Sequence, residues 1–316
     1  MEDCECIGLK VCEVVNGESV KRDLEEVFKI AGNPSAIIKD RDYTLNKGVN
    51  LYNKSQKKPI LVIEDISHSI AKSLKKEFEK TKNYKEFTEL INNGSARIRN
   101  RDIAFLTPPK LRNKARFQNV SRLGKWGEKM IKHFNIRGRA KKGSILEQLR
   151  IAFPTFSKLK PFILNFSKTT SITSQVMDRL KNLGLEQSTY DSCKLILKKL
   201  PKSSKTAKSL RDWLDKHLKI QKELGSYPIP ISSDIIESLF GKFKYMIEKS
   251  PQNDINHSIL IIPLLCGKID KQKILNALNS VSQKDLNQWK LKHIGKTMRM
   301  KRIDFFKQHI QKTGKN

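Results

Sequence analysis

Residues Ser35-Ala36-Ile37-Ile38-Lys39-Asp40 make a short, nearly continuous apolar run that closes on a carboxylate. A strand buried on both faces of a parallel sheet has that form. Gly32-Asn33-Pro34 stands before it as a stop signal, and Glu18 to Ile30 carries Val20, Leu24, Val27, Phe28 and Ile30 at helical spacing. Further upstream, Cys6 to Val15 (CIGLKVCEVV) is apolar, β-branched and ended by Asn16-Gly17, which predicts another strand. Downstream, Leu45 to Tyr52 predicts a short helix and Pro59 to Glu64 (PILVIE) a second buried strand. From Ser67 a helix carries Ile70, Ala71, Leu74 and Phe78. Strand, helix, strand, helix, strand with short links is an α/β layer. No glycine-rich phosphate loop follows any of these strands.

From Tyr84 to about Ile220 the periodicity turns helical, punctuated by Thr107-Pro108-Pro109, Arg137-Gly138, Phe153-Pro154 and Leu200-Pro201. The lysines between Lys198 and Lys208 predict an exposed linker. Ser232-Ser233-Asp234 then caps an amphipathic helix, Ile235 to Ile247, with Ile235, Ile236, Leu239, Phe240, Phe243, Met246 and Ile247 on its apolar face. Ile259 to Leu265, Lys271 to Ser280 and Lys284 to about Gln308 extend the helical pattern to the tail.

Charge is strong and uneven. The 316 residues hold 63 Lys+Arg against 32 Asp+Glu, a formal net charge of +31. Met1 to Asp40 is mildly acidic. Arg97 to Lys142 holds fifteen basic residues against Asp102 and Glu128, and Gly267 to Asn316 holds thirteen against three acidic ones. Such stretches suit a polyanion, whose phosphates they neutralise with release of counterions. Arginine is frequent in the middle segment, at Arg97, Arg99, Arg101, Arg112, Arg116, Arg122, Arg137 and Arg139, and its planar fork suits phosphate. A lysine-rich proteome with solvated helix faces would give a similar total. No apolar run is long enough for a transmembrane span, and the acidic start lacks the features of a secretory signal. Five cysteines without a CxxC pair (Cys4, Cys6, Cys12, Cys193, Cys266) fit neither a disulfide framework nor a thiolate zinc site, and read as reduced structural thiols. No RNP-like motif, GXXG loop or zinc knuckle supports an RNA-binding alternative.

Ligands gather at the carboxyl ends of parallel strands, so Asp40 is a candidate metal ligand, or else a cap or turn former. Glu237 and Lys244 lie seven residues apart, two turns on one stripe of their helix, and could equally be a surface pair. The order of these features resembles the DDE transposases of bacterial insertion sequences. Gly32 to Asp40 through Leu45-Asn46-Lys47-Gly48-Val49 resembles the segment around that family's second aspartate. Asp65-Ile66-Ser67-His68 is similar to its DxxH signature, and Glu237-Ser238-Leu239-Phe240-Gly241-Lys242-Phe243-Lys244 to its catalytic-Glu segment. In the related YREK signature only the Glu and Lys match, because Pro230 and Ser233 hold the other two places.

The resemblance implies an α/β RNase H-like core, incomplete at the amino end, interrupted by a large mainly α-helical insertion and followed by a basic helical tail. Its parts would be 1–80 (the α/β part with the second catalytic Asp), 81–225 (the basic insertion), 226–250 (the catalytic-Glu helix) and 251–316 (the tail). It also implies metal-dependent DNA cleavage and strand transfer with Mg²⁺ (or Mn²⁺) held by Asp40 and Glu237. Lys244 would grip the DNA backbone, as would Arg112, Arg116 and Arg122 in the basic insertion. Trp126 would stack on a displaced base or else serve the core. Asp65 would cap its helix, while His68 would hold local structure or approach the site. The family's first aspartate has no counterpart here, so a chain inactive alone is expected. The alternative is a non-catalytic DNA-binding remnant that inhibits transposition. The expected partners are transposon-end DNA and further copies of the chain as a homo-oligomer, with no membrane and no small-molecule substrate. The expected location is the bacterial cytoplasm, at the nucleoid.

Overall fold

The computed structural model describes residues 5–10, 14–111, 117, 120–136, 138–225, 227–248, 257–266, 271–296 and 300–304. The chain is mostly helical, with two parallel strands among the described residues. In chain order the elements are α1 (Gly17–Ala31), β1 (Ala36–Lys39), α2 (Tyr43–Lys54), β2 (Leu61–Glu64), α3 (Ile66–Phe78), α4 (Lys82–Ile98), α5 (Ser121–Phe134), α6 (Ile145–Ala152), α7 (Lys160–Leu183), α8 (Gln187–Leu197), α9 (Lys205–Glu223), α10 (Asp234–Glu248), α11 (Lys271–Ser280) and α12 (Gln283–His293). No described helix is long and apolar enough to cross a membrane. The chain divides into two compact units, one of residues 35–41 and 60–232, the other of residues 1–34, 42–59 and 233–316.

The larger unit is built on β1 and β2, which run parallel in the register Ala36↔Leu61 to Lys39↔Glu64. α3 leaves β2 directly and packs on α9 and α7. Its core is a continuous aromatic cluster in which Phe78, Tyr84, Phe87, Phe153, Phe156 and Phe166 are all essentially buried. Their rings meet edge-on or tilted, with centroids 5.0–6.5 Å apart. α5 approaches α7 closely because glycine faces it. A Cβ on Gly124 would lie 3.0 Å from Ser167 Cα, and one on Gly127 would lie 2.8 Å from Ile163 Cγ2. The Ser167 hydroxyl donates to Glu128 across the same contact at 2.6 Å.

The expected linker is instead a tight turn between α8 and α9, with Leu200 and Ser204 buried. Ser204 caps α9, and Glu77 reaches from the end of α3 to accept from the Ser204 hydroxyl (2.9 Å) and the Thr206 N–H (2.6 Å). The lysines are exposed, yet the backbone beneath them is held by one carboxylate and one cap.

In the smaller unit α1 crosses α2 at close range, because Gly48 sits where a Cβ would meet Val20 at 2.4 Å. Phe28 and Tyr52 pack edge to face, and the Tyr52 hydroxyl donates to Asn33 at 2.8 Å. The strand expected from Cys6 to Val15 does not form in its described part. Residues 6–10, 14 and 15 have no ladder partner, and Ile7, Val14 and Val15 face solvent. An unpaired strand leaves its backbone groups to water and gains no packed face, so apolar composition alone does not sustain it. Lys10 instead bonds Asp23 and Glu26 of α1. Residues 11–13 lie outside the described part. α10 and α11 form as the periodicity predicts. The helix expected from Lys284 to about Gln308 instead stops at His293, just before Gly295 takes a φ of 64°, and residues 297–299 and 305–308 lie outside the described part. Ile259 to Leu265 winds as two short 3₁₀ turns interrupted by Ile262. The apolar positions of α10 are largely open, with Ile236 at 51% and Phe240 at 46% exposure.

Candidate functional site

In the larger unit the chain leaves β1 and β2 side by side at Asp40 and Asp65, and the Asp65 N–H donates to the Lys39 carbonyl at 2.8 Å. Asp65 is buried and is the N-cap of α3. One carboxylate oxygen accepts the His68 N–H at 3.0 Å and stands 3.2 Å from His68 Nδ1; the other accepts from the Ser232 hydroxyl at 3.3 Å. The DxxH segment is thus a helix-capping device, and it also ties the returning segment near Ile231, whose carbonyl accepts the Ile66 N–H. His68 is partly exposed beside it.

The last residue of β2, Glu64, is the centre of a charged cluster that sequence reasoning did not single out. Its Oε2 accepts from Arg41, and its Oε1 accepts from Lys216 Nζ at 2.9 Å. Burial alone would raise the Glu64 carboxyl, but the Lys216 hydrogen bond and the Arg41 charge outweigh it and hold the group below the ordinary glutamate value. Lys39 is buried in the strand beside it, and burial pulls its ammonium below the ordinary lysine value against the opposing pull of Glu64 and Asp40. One residue along α9 from Lys216, His217 is fully buried and stacked on Trp213 at 4.0 Å. His217 Nε2 accepts the Glu64 N–H at 3.0 Å while Nδ1 donates to the Trp213 carbonyl at 2.7 Å. Only the neutral imidazole can make both bonds. Burial accordingly pushes its pKa down to about 4. The one available clue was the run PILVIE ending in Glu with Arg41 just after Asp40. Lys216 and His217 lie some 150 residues away in sequence, beyond any local pattern.

The basic middle segment presents an ordered face. Leu123, Gly124, Gly127, Met130, Ile131 and Phe134 bury one side of α5. Arg122, Lys125, Lys129 and Lys132 recur at steps of three and four residues on the opposite, exposed side. Not every arginine of the segment is available to a phosphate. Arg97 donates to the carbonyls of Ile151 and Ala152, and the neighbouring Arg150 to those of Ile136 and Gly138, satisfying chain and helix ends. Arg112 and Arg116 lie outside the described residues. Trp126 is not offered to a base. Its ring packs on Phe153 and Phe156 at 5.7 and 5.6 Å, and its indole N–H donates to the Leu106 carbonyl at 3.0 Å, so both its apolar face and its donor are spent on the core.

Glu237 and Lys244 both lie on α10 in the smaller unit, exposed, whereas Asp40 belongs to the larger unit. Among the described residues no group of three or more His, Cys, Asp or Glu is placed to hold a metal ion. The described residues therefore do not make the fit that two Mg²⁺ ions ask of a carboxylate cluster, and no chemical step is derived through a metal. No protein-family model, curated protein or solved structure matches this chain.

Proposed function

We propose that this chain is a DNA-binding protein of the DDE insertion-sequence transposase type, with an RNase H-like arrangement around β1 and β2 and transposon-end DNA as its partner. The observation that carries the DNA part is the row Arg122, Lys125, Lys129, Lys132 on the open side of α5. The four residues span ten positions, or about 15 Å of helix at 1.5 Å per residue, a length over which a DNA strand offers two or three phosphates. The Gly124 and Gly127 contacts and the Glu128–Ser167 bond fix the helix beneath them, so the charges are presented by a rigid element rather than a loop. The transposase part rests on motif resemblance alone, that of the segment ending at Asp40 and of the segment Glu237 to Lys244.

The test is duplex binding as a function of salt. Replacing Arg122, Lys125, Lys129 and Lys132 together by Gln should weaken binding and flatten the plot of log affinity against log salt, by roughly one for each phosphate no longer neutralised. An unchanged slope in a folded variant places the DNA surface elsewhere and refutes the assignment.

A further inference from the structure

The carboxyl end of the β1–β2 pair holds a second cationic arrangement, built differently from the α5 face. Glu64 spends both oxygens on cations: Arg41 engages one through Nε and Nη2, and Lys216 engages the other through Nζ at 2.9 Å. Glu64 keeps only 14% of its side-chain surface in contact with solvent, while Arg41 keeps 34% and Lys216 53%. Arg41 thus has Nη1 to spare, and Lys216 two of its three ammonium protons. One buried carboxylate therefore aligns two outward-reaching cations. Lys39 adds a third positive charge behind them, and Lys219 lies one turn further along the open side of α9. Counting Asp40, Glu64 and the buried Asp65, three cations at the strand ends face three carboxylates.

We propose that Arg41 and Lys216, held side by side by Glu64, form a binding site for a phosphate group at the carboxyl ends of β1 and β2. A guanidinium edge with a neighbouring ammonium matches two oxygens of a tetrahedral phosphate. Long cationic side chains ordinarily lose rotamer freedom when they bind an anion; here the Glu64 carboxylate already pairs both, Arg41 just past the end of β1 and Lys216 within α9. The position is the one at which parallel strands present ligands. The phosphate belongs either to a small phosphate compound or to a nucleic-acid backbone. The site does not rest on the α5 reading, since no α5 residue contributes to it.

The experiment is calorimetric titration of the full chain with inorganic pyrophosphate at low salt. Wild type should bind, and Lys216→Gln and Arg41→Gln should each lower the affinity about tenfold. Lys158→Gln, a control on another exposed surface of the same unit, should leave it unchanged. Arg41→Gln leaves Glu64 with a single partner and could unfold the strand end, so Lys216→Gln decides the matter, with a thermal melt that overlays the wild type. No binding, or equal affinity in wild type and Lys216→Gln, overturns the proposal. A second arm names the source, using the α5 variant to silence the other surface. If a short single-stranded oligonucleotide displaces pyrophosphate from that variant, the phosphate is a backbone phosphate. If pyrophosphate binds and the oligonucleotide cannot displace it, the ligand is a small phosphate compound. Loss of duplex binding in the α5 variant with pyrophosphate binding intact would separate the two surfaces.

Discussion

His217 offers a perturbation whose size follows from its surroundings. Its neutral ring accepts the Glu64 N–H, donates to the Trp213 carbonyl and lies fully buried, so its pKa falls from the ordinary 6.5 to about 4. The folded value is the lower one, so between pH 6.5 and 4 the unfolded chain binds the proton and the folded chain does not. Stability from this group is complete above pH 6.5, declines as pH falls through that window, and is flat below pH 4. Integrating the two titrations from pH 7.5 to pH 4.5 gives a loss of about 2–3 kcal/mol. Other groups titrate in the same range, so the measurement is a difference. Denaturant melts followed by tryptophan fluorescence, which Trp213 reports directly, are compared for wild type and His217→Gln at both pH values. The variant should be less stable by about 1–3 kcal/mol at pH 7.5, for the lost stacking and imperfectly replaced hydrogen bonds. Going to pH 4.5 should move the balance toward the variant by about 2–3 kcal/mol, removing or reversing its deficit. A deficit of equal size at the two pH values would refute the claim that a neutral imidazole holds the end of β2.

The packing of α5 and α4 gives two further expectations. Trp126→Ala should cost about 3–5 kcal/mol of stability through the cavity left against Phe153 and Phe156. In the same variant, affinities of the folded protein for nicked and intact duplex should fall together or not at all; a loss confined to nicked DNA would restore the stacking role. Gly94→Ala would place a Cβ 2.0–2.6 Å from the Phe153 ring and should cost about 1–3 kcal/mol by overpacking. Adding Phe153→Leu should recover part of that cost, so a double variant whose loss equals the sum of the two single losses would show that the clash is not with this ring.

What could be read from the sequence was what local pattern controls. α1, α2, α3 and α11 fall close to the expected residues because caps and 3.6-residue periodicity lie within each segment. Asn16 and Ser19 form a capping box on α1, and Asp42 and Asp65 cap α2 and α3. The strands β1 and β2 were legible as apolar runs, and their parallel pairing followed from the helix between them. Cys6 to Val15 misled because a β-branched run carries no information about whether a partner strand exists. The turn at Lys198–Lys208 misled because lysine content marks solvent exposure of side chains, while the backbone there is held by Glu77 from more than 120 residues away. Trp126 stood among basic residues in sequence and borders their row on α5, yet its ring is turned onto Phe153 and Phe156, a contact no local pattern shows. Asp65 and His68 were visible as a motif whose members are three residues apart; the Glu64, Arg41, Lys216 and His217 constellation was not, since β2 and α9 meet only in the fold.

That constellation is hard to explain as a stabilising device. A carboxylate taken out of water with two cations recovers in mutual attraction roughly what desolvation costs, and apolar replacements of similar volume are often as stable or more so. Only 14% of the Glu64 side chain is open to solvent at the end of β2, so an apolar residue would be sheltered there as well. The chain instead places Glu64 there, satisfies its N–H with a neutral histidine and both its oxygens with cations that still reach outward. Stability asks only that the carboxylate be paired. It does not ask that the pairing leave a guanidinium edge and an ammonium facing solvent beside Asp40, and that surplus is what a phosphate-bearing ligand would use.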